Sequence, residues 1–266
     1  MARWGWGALV LAAAAACSGS PDVDPSPLAA WPDTVAAIGD SITTAAVPDR
    51  EHLAADNPEL SWATGGADVA SHRARIGDES ARDVAAANVA VAGARIADAP
   101  GQAARAVASG ADYVTFLLGA NDLCAPSPPT PERFGAVAGD ALGRLATGLP
   151  DAYVFVVSIP DVTHLREELG GSLRATATWQ RTGACPAVLA GAPSSAELEA
   201  VRDLHAAYNA ALVDACDAHP RCAHDDGAVA AHRFSAEEVS SVDFFHPSIA
   251  GQRRLAALTW GAAFGR

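Results

Sequence analysis

Four short apolar runs, separated by helix-like stretches, constrain the fold of this chain more than any other feature. They are TVAAI (34–38), NVAVA (88–92), YVTFLLG (113–119) and AYVFVVSI (152–159). Each is partly β-branched and bounded by turn residues, the pattern of a strand buried on both faces. Between them lie DAPGQAARAVASG (98–110) and PERFGAVAGDALGRLATGL (131–149). The second places Phe134, Val137, Ala138, Ala141 and Leu145 close to a 3.6-residue period. Two further amphipathic stretches occupy 194–219 and 247–264. Strands alternating with helices predict an α/β domain with a parallel sheet. No long polar linker divides the middle of the 266 residues, so one domain over 32–266 is expected. Two weakly periodic segments, 47–86 and 161–195, are expected to run over the edge of the sheet or its rim.

In open parallel sheets, sites form at the carboxyl ends of the strands, in the loops that lead to the next helix. Ser41 follows the first run, Gly93 the second and Asn121 the third, which puts all three on one edge. The formal net charge is −13, Lys is absent and the Arg residues are scattered. Phosphate backbones need a concentrated basic surface, so no nucleic-acid partner is expected.

The N-terminus reads as a targeting segment. MARWGWGALVLAAAAAC (1–17) has a positive charge at Arg3 and an apolar run too short to span a bilayer, as in a secretory signal. Small residues precede Cys17, and a Pro-rich polar tether follows through residue 31. This arrangement resembles a bacterial lipoprotein signal, although Ala14 stands where such signals usually carry Leu. The resemblance implies lipidation at Cys17, attachment to a membrane and a place in the cell envelope; the alternative is an ordinary secretory signal. Removing Cys17 leaves Cys124, Cys185, Cys216 and Cys222, which allow three pairings. Cys216–Cys222, closing a short loop, with Cys124–Cys185 is favoured in an oxidising compartment.

A serine hydroxyl is a poor nucleophile until a base removes its proton, and histidine is the usual base. SVDFFHPS (241–248) supplies His246, with Asp243 three residues earlier to fix the ring's tautomer. Pro247 suits the first position of the last helix, leaving His246 on the loop before it. An attacked ester also needs donors for its oxyanion, each worth about 3 to 4 kcal/mol. The Asn121 amide in LLGANDLC, the Gly93 N–H in NVAVAGARI and the Ser41 N–H can supply them.

Together, GDS (39–41), NVAVAGA (88–94), GAND (119–122) and DFFH (243–246) resemble, in order, the four blocks of the SGNH, or GDSL-type, hydrolases. The resemblance implies a three-layer α/β/α sandwich with a central parallel sheet, of flavodoxin-like form. It implies Ser41 as nucleophile, Gly93 and Asn121 as oxyanion donors, His246 as base and Asp243 as its orienting acid. NPELSWATGG (57–66) is similar to the phospholipase B-like branch, which implies hydrolysis of lipid or lysophospholipid acyl esters. The expected protein is an exported, monomeric serine ester hydrolase needing no metal or organic cofactor. Activity should fall on acidification, because the base must be neutral. A carbohydrate O-acetyl esterase and a non-catalytic ligand-binding lipoprotein are the rival readings.

Other residues carry weaker signals. Trp62 could line a pocket or fill the core. His205, His219, His224 and His232, with Asp225 and Asp226, match no standard metal-ligand spacing. His52 and His72 are expected at the surface and Arg253–Arg254 on a solvated helix face. Asp40 could position the nucleophile turn or simply cap it.

Overall fold

The computed structural model describes residues 1–2 and 30–265. The lipidation expectation at Cys17 and most of the tether lie outside the described residues.

Thr34–Gly39 forms β1, and 3-10 turns at Pro58–Leu60 and Ala67–Val69 lead to α1, His72–Ser80. Next come β2, Ala85–Asn88; a 3-10 turn, Ile96–Asp98; and α2, Ala99–Ser109. β3, Tyr113–Leu117, runs into the short α3, Ala120–Leu123, and then α4, Pro131–Gly148. β4, Tyr153–Val156, precedes α5, Val162–Leu169; α6, Leu173–Thr182; and α7, Ser195–Asp217. β5, Cys222–His224, α8, Ala228–Ala231, a 3-10 turn, Ala236–Glu238, and α9, Ile249–Phe264, complete the elements of the described residues.

The five strands are all parallel, in the order β2-β1-β3-β4-β5. Period-two alternation along the strands divides the core in two. Ala36, Ile38, Val114, Phe116, Val154 and Val156 face α2, α4 and α7. Val35, Ala37, Tyr113, Leu117, Tyr153 and Phe155 face α1 and α9. The result is the expected α/β/α sandwich, with buried apolar side chains on both faces of its central strands.

Local chemistry sets the helix boundaries. Thr130 caps α4 by accepting the Arg133 N–H, and Pro131 follows at the first helical position, where its missing N–H costs nothing. Ser194 and Glu197 form a reciprocal capping box at the start of α7.

Several expectations need correction. NVAVA overlaps the second strand only at Asn88: beyond it the Val89 and Val91 N–H groups still donate to the Ala37 and Gly39 carbonyls of β1, but the segment is no longer a strand and Val91 is 51 % exposed. The strand is Ala85–Asn88 at the sheet edge, with only β1 beside it, so it is not buried on both faces. A fifth strand, Cys222–His224, is too short to stand out as an apolar run. Residues 41–45, after β1, form consecutive turns, ending with Ala45 at φ +53°. Pro247 is not the first residue of the last helix: α9 starts at Ile249 with Ser248 as its cap, and Pro247 bridges to Val239.

The two excursions behave differently. Segment 161–195 carries α5 and α6 over the carboxyl edge of the sheet, where Val162 and Leu165 share a cleft with Ser41. Segment 47–86 instead sends Trp62, Ile76 and Val84 into the core beneath α9. Trp62 is fully buried, with its indole N–H 3.4 Å from Thr43 Oγ1, and fills the core. His72 is also fully buried rather than exposed, bonded through Nδ1 to the Tyr113 hydroxyl and through Nε2 to Thr259 Oγ1. Burial pushes its pKa down to about 3, so it is a neutral core group.

Candidate active site

The carboxyl end of β1 is held by side-chain amides as well as by neighbouring strands. Gln102 of α2 is buried and brackets Gly39, accepting its N–H at 2.8 Å and donating to its carbonyl at 2.9 Å. The same carbonyl accepts the Val91 N–H at 3.2 Å, which joins the strand end to the loop carrying Gly93. Gln252 of α9, fully buried, donates to the Ile42 carbonyl and accepts the Trp62 N–H. Asn88 donates to the Thr43 carbonyl at 3.0 Å. These amides replace the partners that the backbone loses where the sheet stops.

Ser41 sits on this braced turn and is 7 % exposed. Its N–H and that of Gly93 have no hydrogen-bond acceptor among the described residues. Gly93 occupies a turn closed by the Ala94 N–H on the Val91 carbonyl, with φ +81°, where glycine carries no steric penalty. Asn121 Nδ2 donates to the Ala94 carbonyl at 3.0 Å. That bond fixes the amide against the Gly93 turn and leaves its second N–H available. Gly119, before Asn121, lets the chain pass Ile159: a Cβ there would stand 2.3 Å from Ile159 Cδ1.

Asp40 is buried at 1 % exposure. Its Oδ1 accepts the Ile42 N–H at 2.9 Å, and its Oδ2 has no partner among the described residues. Burial pushes this carboxyl up to about 7, against the pull of the Ile42 N–H and of His246. Asp122 is likewise raised by burial, to about 6, while accepting the Ile96 N–H at 2.8 Å.

The other half of the site is the 240–248 loop. Asp243 Oδ1 accepts the N–H groups of Phe245 and His246, at 2.9 and 3.1 Å, and Oδ2 lies 2.6 Å from His246 Nδ1. A carboxylate holding Nδ1 leaves Nε2 to face the cleft as the basic nitrogen. Ser41, Asn121 and His246 line one cleft, with Asp243 behind the imidazole. Its walls are mainly apolar: Ile42, Val162, Leu165, Phe234, Val239 and Phe245. Gly93 stands outside this cleft, in a neighbouring depression with Gln102 and Arg105, joined to it through the Asn121–Ala94 bond.

Both disulfides have the favoured pairing, Cys124–Cys185 and Cys216–Cys222. The first ties α3, beside Asn121, to the segment after α6. Among the described residues, no three His, Cys, Asp or Glu side chains lie close enough together to hold a metal ion. His205 bonds the Ile159 carbonyl, His232 pairs with Glu238, and His224 lies near Asp217 and Asp226. Asp225 is structural, its carboxylate accepting from Ser158 and from the Gly227 and Val229 N–H groups. Arg253 and Arg254 are exposed as expected, yet they bond the Asp68 carbonyl and Glu238.

The amide braces Gln102 and Gln252 were not anticipated. Glutamine is ordinary on a helix surface, and a signal for them existed only in their position on otherwise apolar faces. The other groups missed, Asp161, His164 and Glu238 at the cleft, have no motif around them.

Comparison with known proteins agrees with this architecture. The chain is similar to LAE5, an alpha/beta hydrolase enzyme from the metagenome of Lake Arreo, Spain, with 18 % identity and a TM-score of 0.58 over 89 % of this chain and 97 % of that one. TesA gives 18 % identity and a TM-score of 0.52 over 86 % and 97 %. A family two carbohydrate esterase from Clostridium thermocellum gives 16 % and 0.52 over 86 % and 62 %. At these identities the likeness establishes the shared fold. No curated protein matches the chain by sequence. The family model for GDSL-like lipase/acylhydrolase matches residues 35–259, from β1 into α9, and the chain belongs to this family of carboxylic ester hydrolases.

Proposed function

We propose that the protein is an exported serine hydrolase of acyl esters of the lipid or lysophospholipid type. Ser41 Oγ attacks the acyl carbonyl while His246 Nε2 takes its proton. Asp243 holds the imidazole and stabilises its charged form. The negative charge that develops on the carbonyl oxygen is received by the Ser41 N–H and Asn121 Nδ2, and by the Gly93 N–H, whose turn the Asn121–Ala94 bond ties to the edge of the cleft. His246 then protonates the departing alcohol, leaving the acyl group on Ser41. Water, deprotonated by His246, releases the acid and restores the serine.

The observation that carries the substrate class is the apolar wall beside Ser41, where Ile42, Val162, Leu165 and Phe245 offer burial to an acyl chain. Each methylene buried there contributes about 0.8 kcal/mol, so longer chains should be preferred up to the length of the cleft. Two disulfides support export, because such bonds persist in oxidising compartments. Lipidation at Cys17 would keep the enzyme at a membrane surface, close to such substrates.

The test is hydrolysis of p-nitrophenyl esters from acetyl to palmitoyl by residues 18–266, beside the Ser41→Ala variant. The expected result is a preference for medium or long chains and a loss of kcat of at least ~10⁴-fold in the variant. Retained turnover in Ser41→Ala would refute the mechanism. Strict preference for acetyl esters, with turnover of acetylated sugars, would replace the lipid reading with carbohydrate deacetylation.

A further inference from the structure

Phe244, between Asp243 and His246, has φ +56°. Bulky L-residues rarely adopt this left-handed conformation, and it persists only where the surroundings impose it. The reversal at Phe244 lets Asp243 Oδ1 collect the N–H groups of both Phe245 and His246 while Oδ2 holds the His246 ring. An extended residue at 244 would carry His246 away from that carboxylate.

Helix α6 grips this residue in two ways. The indole N–H of Trp179, fully buried, donates to the Phe244 carbonyl at 2.9 Å. The Arg174 guanidinium stands over the Phe244 ring, 5.7 Å from its centroid. Trp179, Val188, Leu189 and Val239 form a separate apolar cluster, against which Phe244 and Phe245 pack. The Cys124–Cys185 disulfide anchors that cluster to α3, beside Asn121.

We propose that Trp179 is a positioning residue for the reaction, holding Phe244 in its left-handed conformation and thereby keeping Asp243 and His246 in register. The inference rests on the roles proposed above for Ser41, His246 and Asp243. Trp179 touches no reacting atom; it acts through one backbone carbonyl. A role confined to packing would be satisfied by any aromatic ring of similar size, whereas the positioning role requires the N–H.

The test measures kcat and KM for ester hydrolysis in Trp179→Phe, Trp179→Phe with Phe244→Gly, Phe244→Gly and Phe244→Val, beside wild type and Ser41→Ala. Trp179→Phe is expected to lower kcat about tenfold with KM unchanged within twofold. Adding Phe244→Gly should recover at least threefold of that loss, because glycine enters the left-handed region without a brace. In the wild-type background, kcat of Phe244→Gly should exceed that of Phe244→Val about tenfold, a comparison that stands even if Trp179→Phe fails to fold. A folded Trp179→Phe with wild-type kcat, a loss that Phe244→Gly does not recover, or equal kcat for the Gly and Val variants would overturn the proposal. Activity that survives Ser41→Ala would instead refute the underlying site. Activity that needs Ser41 but ignores position 179 refutes the brace alone.

Discussion

The two halves of the cleft are built on different principles. Ser41 stands at the end of a central strand, where β1 and β3 supply backbone pairing and the buried amides of Gln102 and Gln252 complete it. His246 stands on a loop outside the five-stranded sheet, closed by the Ser240 N–H on its carbonyl, shaped by Asp243 and braced from α6 across a small apolar cluster. The nucleophile edge shares the main core, so disturbing it should cost global stability. The base loop depends on a satellite cluster, so disturbing it should cost activity first. Rigid placement of a nucleophile thus comes from topology, and placement of its base from a segment inserted later in the chain.

The largest expected effect lies on the base side. Asp243→Asn would present an amide to His246 Nδ1 and favour the wrong tautomer, lowering kcat by roughly 10⁴-fold with the fold intact. Steady-state kinetics beside a circular-dichroism melt would show the split; equal losses of activity and stability would break the comparison.

Two effects of about 4 kcal/mol come next. Asp40 is raised by burial from 3.8 to about 7, so between these values the folded protein holds a proton that the unfolded chain has released. Stability therefore falls as pH rises through this window, by on the order of 4 kcal/mol in total. Asp40→Asn should remove that slope, so urea unfolding at pH 4.5 and 8 should show the variant gaining on wild type at the higher pH. The two disulfides offer a parallel contrast. Opening Cys124–Cys185, whose partners stand 61 positions apart, should cost about 4 kcal/mol, and opening Cys216–Cys222, 6 positions apart, about 2 kcal/mol. Only the first touches the cluster behind His246, so paired Cys→Ser variants should differ in kcat as well as in melting temperature.

A smaller effect, about 2 kcal/mol, is expected from Gln102→Ala, which strips the Gly39 N–H of its buried acceptor. It should lower stability more than kcat. A variant with full stability and lost activity would place the nucleophile edge in the same class as the base loop.

The sequence alone was enough for the alternation of elements, and with it for the parallel sheet and for the edge on which Ser41, Gly93 and Asn121 fall. These follow from local pattern, because a doubly buried strand must be apolar throughout and a parallel connection must carry a helix. DFFH was legible for a similar reason: Asp243 and His246 stand three residues apart, a spacing at which the pair can be read from sequence, although the brace from α6 could not. Tertiary structure alone decided where NVAVA leaves the sheet, since edge or centre depends on which strand pairs with which. It alone placed Trp62 and His72 in the core, where α9 and Tyr113 close over them. It alone brought Trp179 to Phe244, 65 residues apart, and Gln102 to Gly39, 63 apart. A hydrogen bond across such separations leaves no periodic trace, because its partners are set by packing and their residue types are common elsewhere.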